Sequence, residues 1–130
     1  MSADDRASVD ALQRLIRATD RLAEAVQVPA EQPLAIDGTI QRFEVAFELF
    51  WKTPKRFLLR EGIDARTPRD VLRAAFKARW PEDEAAWLGM LDDRNTTSHI
   101  DDETTARRVY AGIVRNLPIL KSGVESLKRR

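Results

Sequence analysis

Arg94-Asn95-Thr96-Thr97-Ser98-His99 gathers an arginine, an asparagine, three hydroxyls and the only histidine of the chain into one run. Arginine presents a fork of donors that matches a phosphate. Histidine titrates near neutral pH and can give or take a proton. Together these groups suit cleavage of RNA by its own 2′-hydroxyl, which needs a general base, a general acid and a cation for the phosphorane, but no metal. One chain supplies one histidine, so an enzyme of this kind would need a two-fold dimer that brings two copies of the run together.

Geometry limits that idea. On an ideal helix, residues five apart lie roughly 140° around the axis from one another, so Arg94 and His99 would face different ways, whereas Asn95 and His99, four apart, would share a face. Convergence of Arg94 and His99 requires the helix to end or bend between them. Thr96, Thr97 and Ser98 compete with the helix for backbone hydrogen bonds and make such an ending plausible. The same residues also fit an ordinary helix end, with Arg94 paired to neighbouring acids, Asn95 capping the C-terminus and His99 at a boundary position. Asp92, Asp93, Asp101, Asp102 and Glu103 surround the run; they would stabilise a charged histidine and partly repel RNA.

Composition narrows the chemistry further. The chain has no cysteine, hence no disulfide and no thiolate zinc site. A single histidine excludes a multi-histidine metal site within one chain, and no motif supports a carboxylate magnesium site. No cofactor is called for. No apolar run approaches the ~20 residues needed to span a bilayer, and the acidic N-terminus carries no secretion signal, so a cytoplasmic protein without a membrane partner is expected. The net charge is +1, but it is laid out in blocks: 5 basic and 9 acidic side chains over residues 1–51, 9 and 3 over 52–79, 1 and 8 over 80–103, and 7 and 1 over 104–130. The basic blocks allow a nucleic-acid partner without demanding one.

The elements that must position the run are all helical. A 130-residue chain is expected to form one domain, residues 1–130. Residues 5–27 carry Val9, Leu12, Ile16, Thr19, Ala23 and Val26 at 3-4 spacing, widened by Leu15 and Leu22. Pro29 and Pro33 bracket a connection. Asp37 or Thr39 is expected to cap a second helix, in which Ile40, Phe43, Phe47, Phe50, Pro54 and Phe57 fall on a ~3.5-residue repeat. Pro54 in that seam predicts a kink, or two helices meeting. The opposite stripe holds Glu44, Glu48 and Lys52, readable as a simple i,i+4 pair or as a polar patch that faces a partner or supports a site. Gly62 reads as a C-cap. Thr67-Pro68-Arg69-Asp70 starts a short helix reaching about Trp80, and Pro81-Glu82-Asp83-Glu84 starts another, with Trp87, Leu88, Leu91 and Asn95 on its inner face. From about Glu103 a last helix carries Ala106, Val109, Ile113, Leu120, Val124 and Leu127, with a second kink expected at Asn116-Leu117-Pro118. No alternating strand pattern occurs. The expected fold is all-α: an antiparallel up-and-down bundle of four main helices plus a short extra one.

Three segments taken together resemble the HEPN superfamily, in particular its branch of nucleotidyltransferase substrate-binding proteins. They are Ile40-Gln41-Arg42-Phe43-Glu44 with Phe47-Glu48 and Trp51-Lys52; Thr67-Pro68-Arg69-Asp70-Val71-Leu72-Arg73-Ala74-Ala75-Phe76; and Trp87-Leu88 with Met90-Leu91 and Asp93-Arg94-Asn95-Thr96-Thr97-Ser98-His99. The likeness spans roughly residues 5–128. It implies a homodimer and a partner, a minimal nucleotidyltransferase acting as antitoxin. It implies that the chain is similar to toxins that are metal-independent ribonucleases, with Arg94 holding the phosphate, His99 transferring protons and Asn95 orienting the site. An older reading of the same family implies a substrate-binding subunit of the transferase without catalysis of its own. The chain departs from the toxin pattern at one place: where a tyrosine that accepts AMP usually follows two residues after the histidine, this chain has Asp101, and Tyr110, its only tyrosine, lies eleven residues past His99.

Overall fold

The computed structural model describes residues 2–130; helices account for about four-fifths of them, and no strand occurs among the described residues. Helix α1 spans Ala3–Gln27, α2 Ala35–Arg60, α3 Pro68–Lys77, α4 Glu84–Thr96 and α5 Glu103–Lys128, and a 3-10 turn over Thr97–His99 follows α4 directly. The four main helices alternate in direction. Asp5 near the start of α1 pairs with Arg60 at the end of α2, while the Thr39 hydroxyl near the start of α2 reaches the Ala25 carbonyl near the end of α1. In the same way Arg94 and Trp87 of α4 meet Glu44 and Phe50 of α2, and Asp93 and Trp87 meet Arg108 and Gly123 of α5. Helix α3 is the short extra element.

The aromatic seam of α2 is the centre of the core. Phe43, Phe47 and Phe50 are fully buried, and Ile40, Pro54 and Phe57 are buried with them. Trp87 of α4 packs onto Phe50 and Phe47 with ring centroids 5.1 and 6.4 Å away. The fit depends on Gly123 of α5: a Cβ there would stand 2.6 Å from the Trp87 ring. Helix α5 buries the expected residues and adds Gly112, Leu117 and Gly123 to that face. In α1 the buried line is Ser8, Ala11, Leu15, Ala18, Thr19 and Leu22; Val9 is exposed, and Leu12, Ile16, Ala23 and Val26 flank the line rather than centre it.

Several boundaries differ from expectation, each for a local reason. Helix α2 is capped neither by Asp37 nor by Thr39. It starts at Ala35 behind Leu34, which takes a left-handed conformation (φ 68°). Asp37 then falls in the first turn, where its charge suits the helix dipole, and buried Thr39 donates back to the Ala35 carbonyl at 2.9 Å. Pro54 does not divide the helix, and Pro118 does not interrupt α5; both helices run on through their prolines. A proline removes one backbone hydrogen bond, and burial of Phe50, Thr53, Pro54 and Phe57 on one side holds α2 across the gap. Helix α3 stops at Lys77 rather than near Trp80, because Arg79 turns left-handed (φ 61°) and the Trp80 amide donates to the Ala75 carbonyl. Helix α4 accordingly begins at Glu84, behind Asp83. Two predicted caps are present as expected. Thr67 accepts from the Asp70 amide at 3.1 Å, and Gly62, at φ 86°, closes α2 with the Ile63 amide bonded to the Leu58 carbonyl.

Candidate active site

The last turn of α4 carries three consecutive charges, and each is tied to a different helix. Asp92 reaches Arg69 of α3 at 3.4 Å, Asp93 reaches Arg108 of α5 at 3.5 Å, and Arg94 reaches Glu44 of α2 at 3.7 Å. Successive helical residues lie ~100° apart, so three in a row fan over more than half of the helix circumference. A helix seated between three others can therefore pair all three. The charge blocks of the chain meet here: Arg69 and Arg108 belong to the basic blocks that flank the acidic one.

Helix α4 ends at Thr96, between Arg94 and His99. Thr96 donates its hydroxyl to the Asp92 carbonyl at 3.0 Å, and the Thr97 hydroxyl lies 2.6 Å from the Arg94 carbonyl. The side-chain hydroxyls thus add to the backbone bonds at the helix end, where the Thr97 amide also donates to the Asp93 and Arg94 carbonyls, and the chain tightens into the 3-10 turn that carries His99. The α-helix gives way to a 3-10 turn between Arg94 and His99, but among the described residues Arg94 bonds to Thr97 and Glu44 and not to His99. Asn95 does not play the capping part considered for it. It is exposed rather than on the inner face of α4, because the threonines satisfy the helix end and the burial face is Trp87, Met90 and Leu91.

Arg94 is partly enclosed. Its side chain is 27% exposed, its Nη1 donates to Thr97 Oγ1 at 3.1 Å, and the same nitrogen faces Glu44. Thr97 Oγ1 is also 3.2 Å from Glu44 Oε2. Its one proton serves one acceptor at a time, and the shorter distance favours the Arg94 carbonyl. The Arg94 Nε–H is buried without a partner among the described residues. Arg94 does not pair with its sequence neighbours Asp92 and Asp93, which turn to other helices.

Of the residues singled out in the sequence, the structure brings Arg94 and Glu44 together and sets Glu48 one turn and Lys52 two turns further along α2. Lys52 pairs with Glu48 at 3.0 Å, and the Trp51 indole N–H donates to the other Glu48 oxygen at 3.2 Å. Burial opposes ionisation of Glu48, but the bonds from Lys52 and Trp51, with Arg94 behind them, outweigh it and hold its carboxyl below the usual glutamate value. Asn95 and His99 stay outside this network; His99 is exposed at the end of the 3-10 turn. Asp101, in the tyrosine's place, is exposed beside Asp102, which caps α5 by accepting from the Thr105 amide at 2.6 Å. Thr97 is the participant that sequence reading missed. Its signal was its place three residues after Arg94, one turn on.

The family model for nucleotidyltransferase substrate binding protein-like chains matches residues 10–129. The chain belongs to this HEPN-like family. Among its relatives, a Haemophilus influenzae (strain Rd) protein named "Probable ribonuclease HepT" is 35% identical over 106 residues, which cover 78% of this chain and 73% of the relative. Solved structures share the fold. A Thermus thermophilus protein superposes with a TM-score of 0.82 at 30% identity, over 88% of this chain and 99% of its own. A second, from H. influenzae and presented as the fold of a substrate binding domain of a nucleotidyltransferase, gives a TM-score of 0.81 at 32% identity, over 90% and 98%. No described helix is long and apolar enough to cross a membrane.

Proposed function

We propose that this chain is the ribonuclease component of a toxin–antitoxin pair, active as a homodimer in the cytoplasm and bound by a minimal nucleotidyltransferase. In this reading the two Arg94–His99 stretches of a dimer face one cleft. One His99 takes the proton of an RNA 2′-hydroxyl as it attacks the adjacent phosphorus. The other gives a proton to the departing 5′-oxygen, leaving a 2′,3′-cyclic phosphate and a free 5′-hydroxyl. The Arg94 side chains hold the phosphate and balance the charge of the phosphorane. Exposed Asn95, beside Arg94, orients the strand. The observation that carries the reading is the end of the α-helix at Thr96: a 3-10 turn over Thr97–His99 follows it, and His99 is exposed at the end of that turn. The likeness to a relative named as a ribonuclease supports it.

The test is RNA cleavage by the purified chain with a chelator present and its oligomeric state measured alongside. Cleavage should proceed, and His99→Ala should lower its rate by about 10²- to 10⁴-fold while leaving the dimer intact. Uncut RNA at high concentration of a confirmed dimer would refute the enzyme.

A second reading has its own observation. Glu44 stands against the cation that RNA would need, and Asp101 adds an acid close to His99. Both suit a chain that docks a nucleotidyltransferase without cutting RNA; one structural relative is presented as a substrate binding domain of a nucleotidyltransferase. This reading predicts a complex with the transferase that forms equally well with His99→Ala, and no growth arrest when the chain is expressed alone.

A further inference from the structure

Trp51 differs from the other two tryptophans. Trp80 and Trp87 are each 3% exposed, within the core, whereas Trp51 is half-buried on the outer side of α2. Its indole is fixed in orientation, because its N–H donates to Glu48 at 3.2 Å. Two lysines flank its ring: Lys52 Nζ lies 5.9 Å and Lys55 Nζ 5.8 Å from the ring centroid. This cluster belongs to the same strip as Arg94. Glu44, which faces Arg94, and Glu48, which holds Trp51, are one turn apart on α2, and Arg94 acts electrostatically on Glu48. From Glu44 to Trp51 is about 10 Å along the helix axis, a distance that one short stretch of a single strand can span.

We propose that Trp51, Lys52 and Lys55 form a binding subsite for single-stranded nucleic acid, with a base stacked on the Trp51 ring and the two lysines on flanking phosphates, continuing the path of a strand that reaches Arg94. The inference rests on the ribonuclease reading for its direction, toward Arg94. The arrangement has the two parts that sequence-tolerant strand binding needs, a fixed aromatic face and mobile cations beside it. Lysine suits the second part, since its ammonium is a point charge on a flexible stem: Lys55 can leave the ring for a phosphate, and Lys52 can do so by opening its solvent-exposed pair with Glu48. Along the strip, Arg94, Lys52 and Lys55 outnumber Glu44 and Glu48, so it presents net positive charge to a strand. A protein partner on the same face is the competing occupant, and a fixed indole between two lysines fits it less well than a nucleobase with phosphates on either side.

The test uses the full chain and a deoxy-oligonucleotide of about eight pyrimidines, a length within the usual site size of strand-binding proteins. Lacking 2′-hydroxyls, it cannot be cut by the proposed reaction, so binding is read apart from cleavage. Because Trp80 and Trp87 are buried, quenching of tryptophan emission on titration reports Trp51. We expect saturable quenching. By anisotropy of a labelled oligonucleotide, Trp51→Ala should weaken binding about tenfold and Trp51→Phe should retain most of it. Lys52→Gln with Lys55→Gln should flatten the dependence of log affinity on log salt by about one unit. Absence of quenching at saturating oligonucleotide, equal affinity of Trp51→Ala and the parent chain, or protection of Trp51 by a nucleotidyltransferase but never by the oligonucleotide each overturns the subsite. Quenching without any RNA cleavage keeps the subsite and removes the ribonuclease; cleavage of RNA with no response at Trp51 does the reverse.

Discussion

The two ends of α4 are held by different forces. Its first half is seated by shape: Trp87, Met90 and Leu91 are buried, and Trp87 fills a slot floored by Gly123 and walled by Phe50. Its last turn is seated by charge, through Asp92, Asp93 and Arg94, each with a partner on another helix. Burial of a tryptophan contributes several kcal/mol, while an exposed ion pair such as Asp92–Arg69 contributes about 0–1 kcal/mol. The Asp93 and Arg94 pairs are more enclosed, but the half without candidate chemistry carries most of the apolar burial. In the proposed reading Arg94 would release Glu44 to meet a phosphate, which a pair at 3.7 Å permits more readily than a tight core contact.

The contrast can be broken hardest at Gly123. Gly123→Ala places a methyl 2.6 Å from Trp87 Cζ2, against a ring already backed by Phe50. Overpacking of this kind typically costs about 1–3 kcal/mol, so thermal unfolding should show a clearly lower Tm, insensitive to salt. Gly112 is the contrasting control at the charged end. A methyl there would meet Asp93 Oδ2 at 2.9 Å, the mobile end of a side chain, and the loss should be smaller. Equal losses at the two glycines would mean that the two ends of α4 are equally rigid.

The charged end is tested next by neutralising one strap. Asp92→Asn removes the pair with Arg69, whose partners are 70% and 45% exposed. Denaturant unfolding should show a loss below about 1 kcal/mol that fades as salt is raised. A loss of several kcal/mol that survives high salt would place Asp92 among the structural supports of the fold and undo the distinction.

What could be read in the sequence follows the same division. The seam of α2 was legible because large apolar residues recur at helical spacing, and Thr67 and Gly62 because their types announce their roles. The centre of α1 was not, since Ser8, Ala11 and Ala18 are small and weakly apolar and are buried by close approach between helices. The helix start at Leu34 and the stop at Arg79 were hidden for another reason, as was the choice of Asp83 as the cap within the Pro81-Glu82-Asp83-Glu84 start. Left-handed backbone is the habit of glycine, and these are not glycines. At the site, the end of α4 was legible from its hydroxyls. Its links to α2 were not: Thr97 and Glu44 are 53 residues apart, and nothing local ties them. The Glu44, Glu48, Lys52 stripe showed that a polar patch existed, not which arginine it would meet.

The smallest expected effect sharpens the charged end itself, at Asp93. Burial raises its carboxyl above the ordinary value near 3.8, and the Arg108 and Arg115 guanidinium groups offset that only in part. A raised value means that the folded chain holds this proton more tightly than the unfolded chain does. The stability contribution of Asp93 is therefore full below pH 3.8 and is lost as pH rises through the raised value. Asn imitates the protonated acid and does not titrate. Asp93→Asn should match the parent chain at low pH and become slightly the more stable of the two at neutral pH, by less than about 1 kcal/mol, as measured by urea unfolding across that range. A variant less stable at neutral pH would show that attraction from Arg108 and Arg115 exceeds the cost of burial. Asp93 would then be a strap of the same kind as Asp92, rather than a charge that the close packing of α4 against Gly112 merely tolerates.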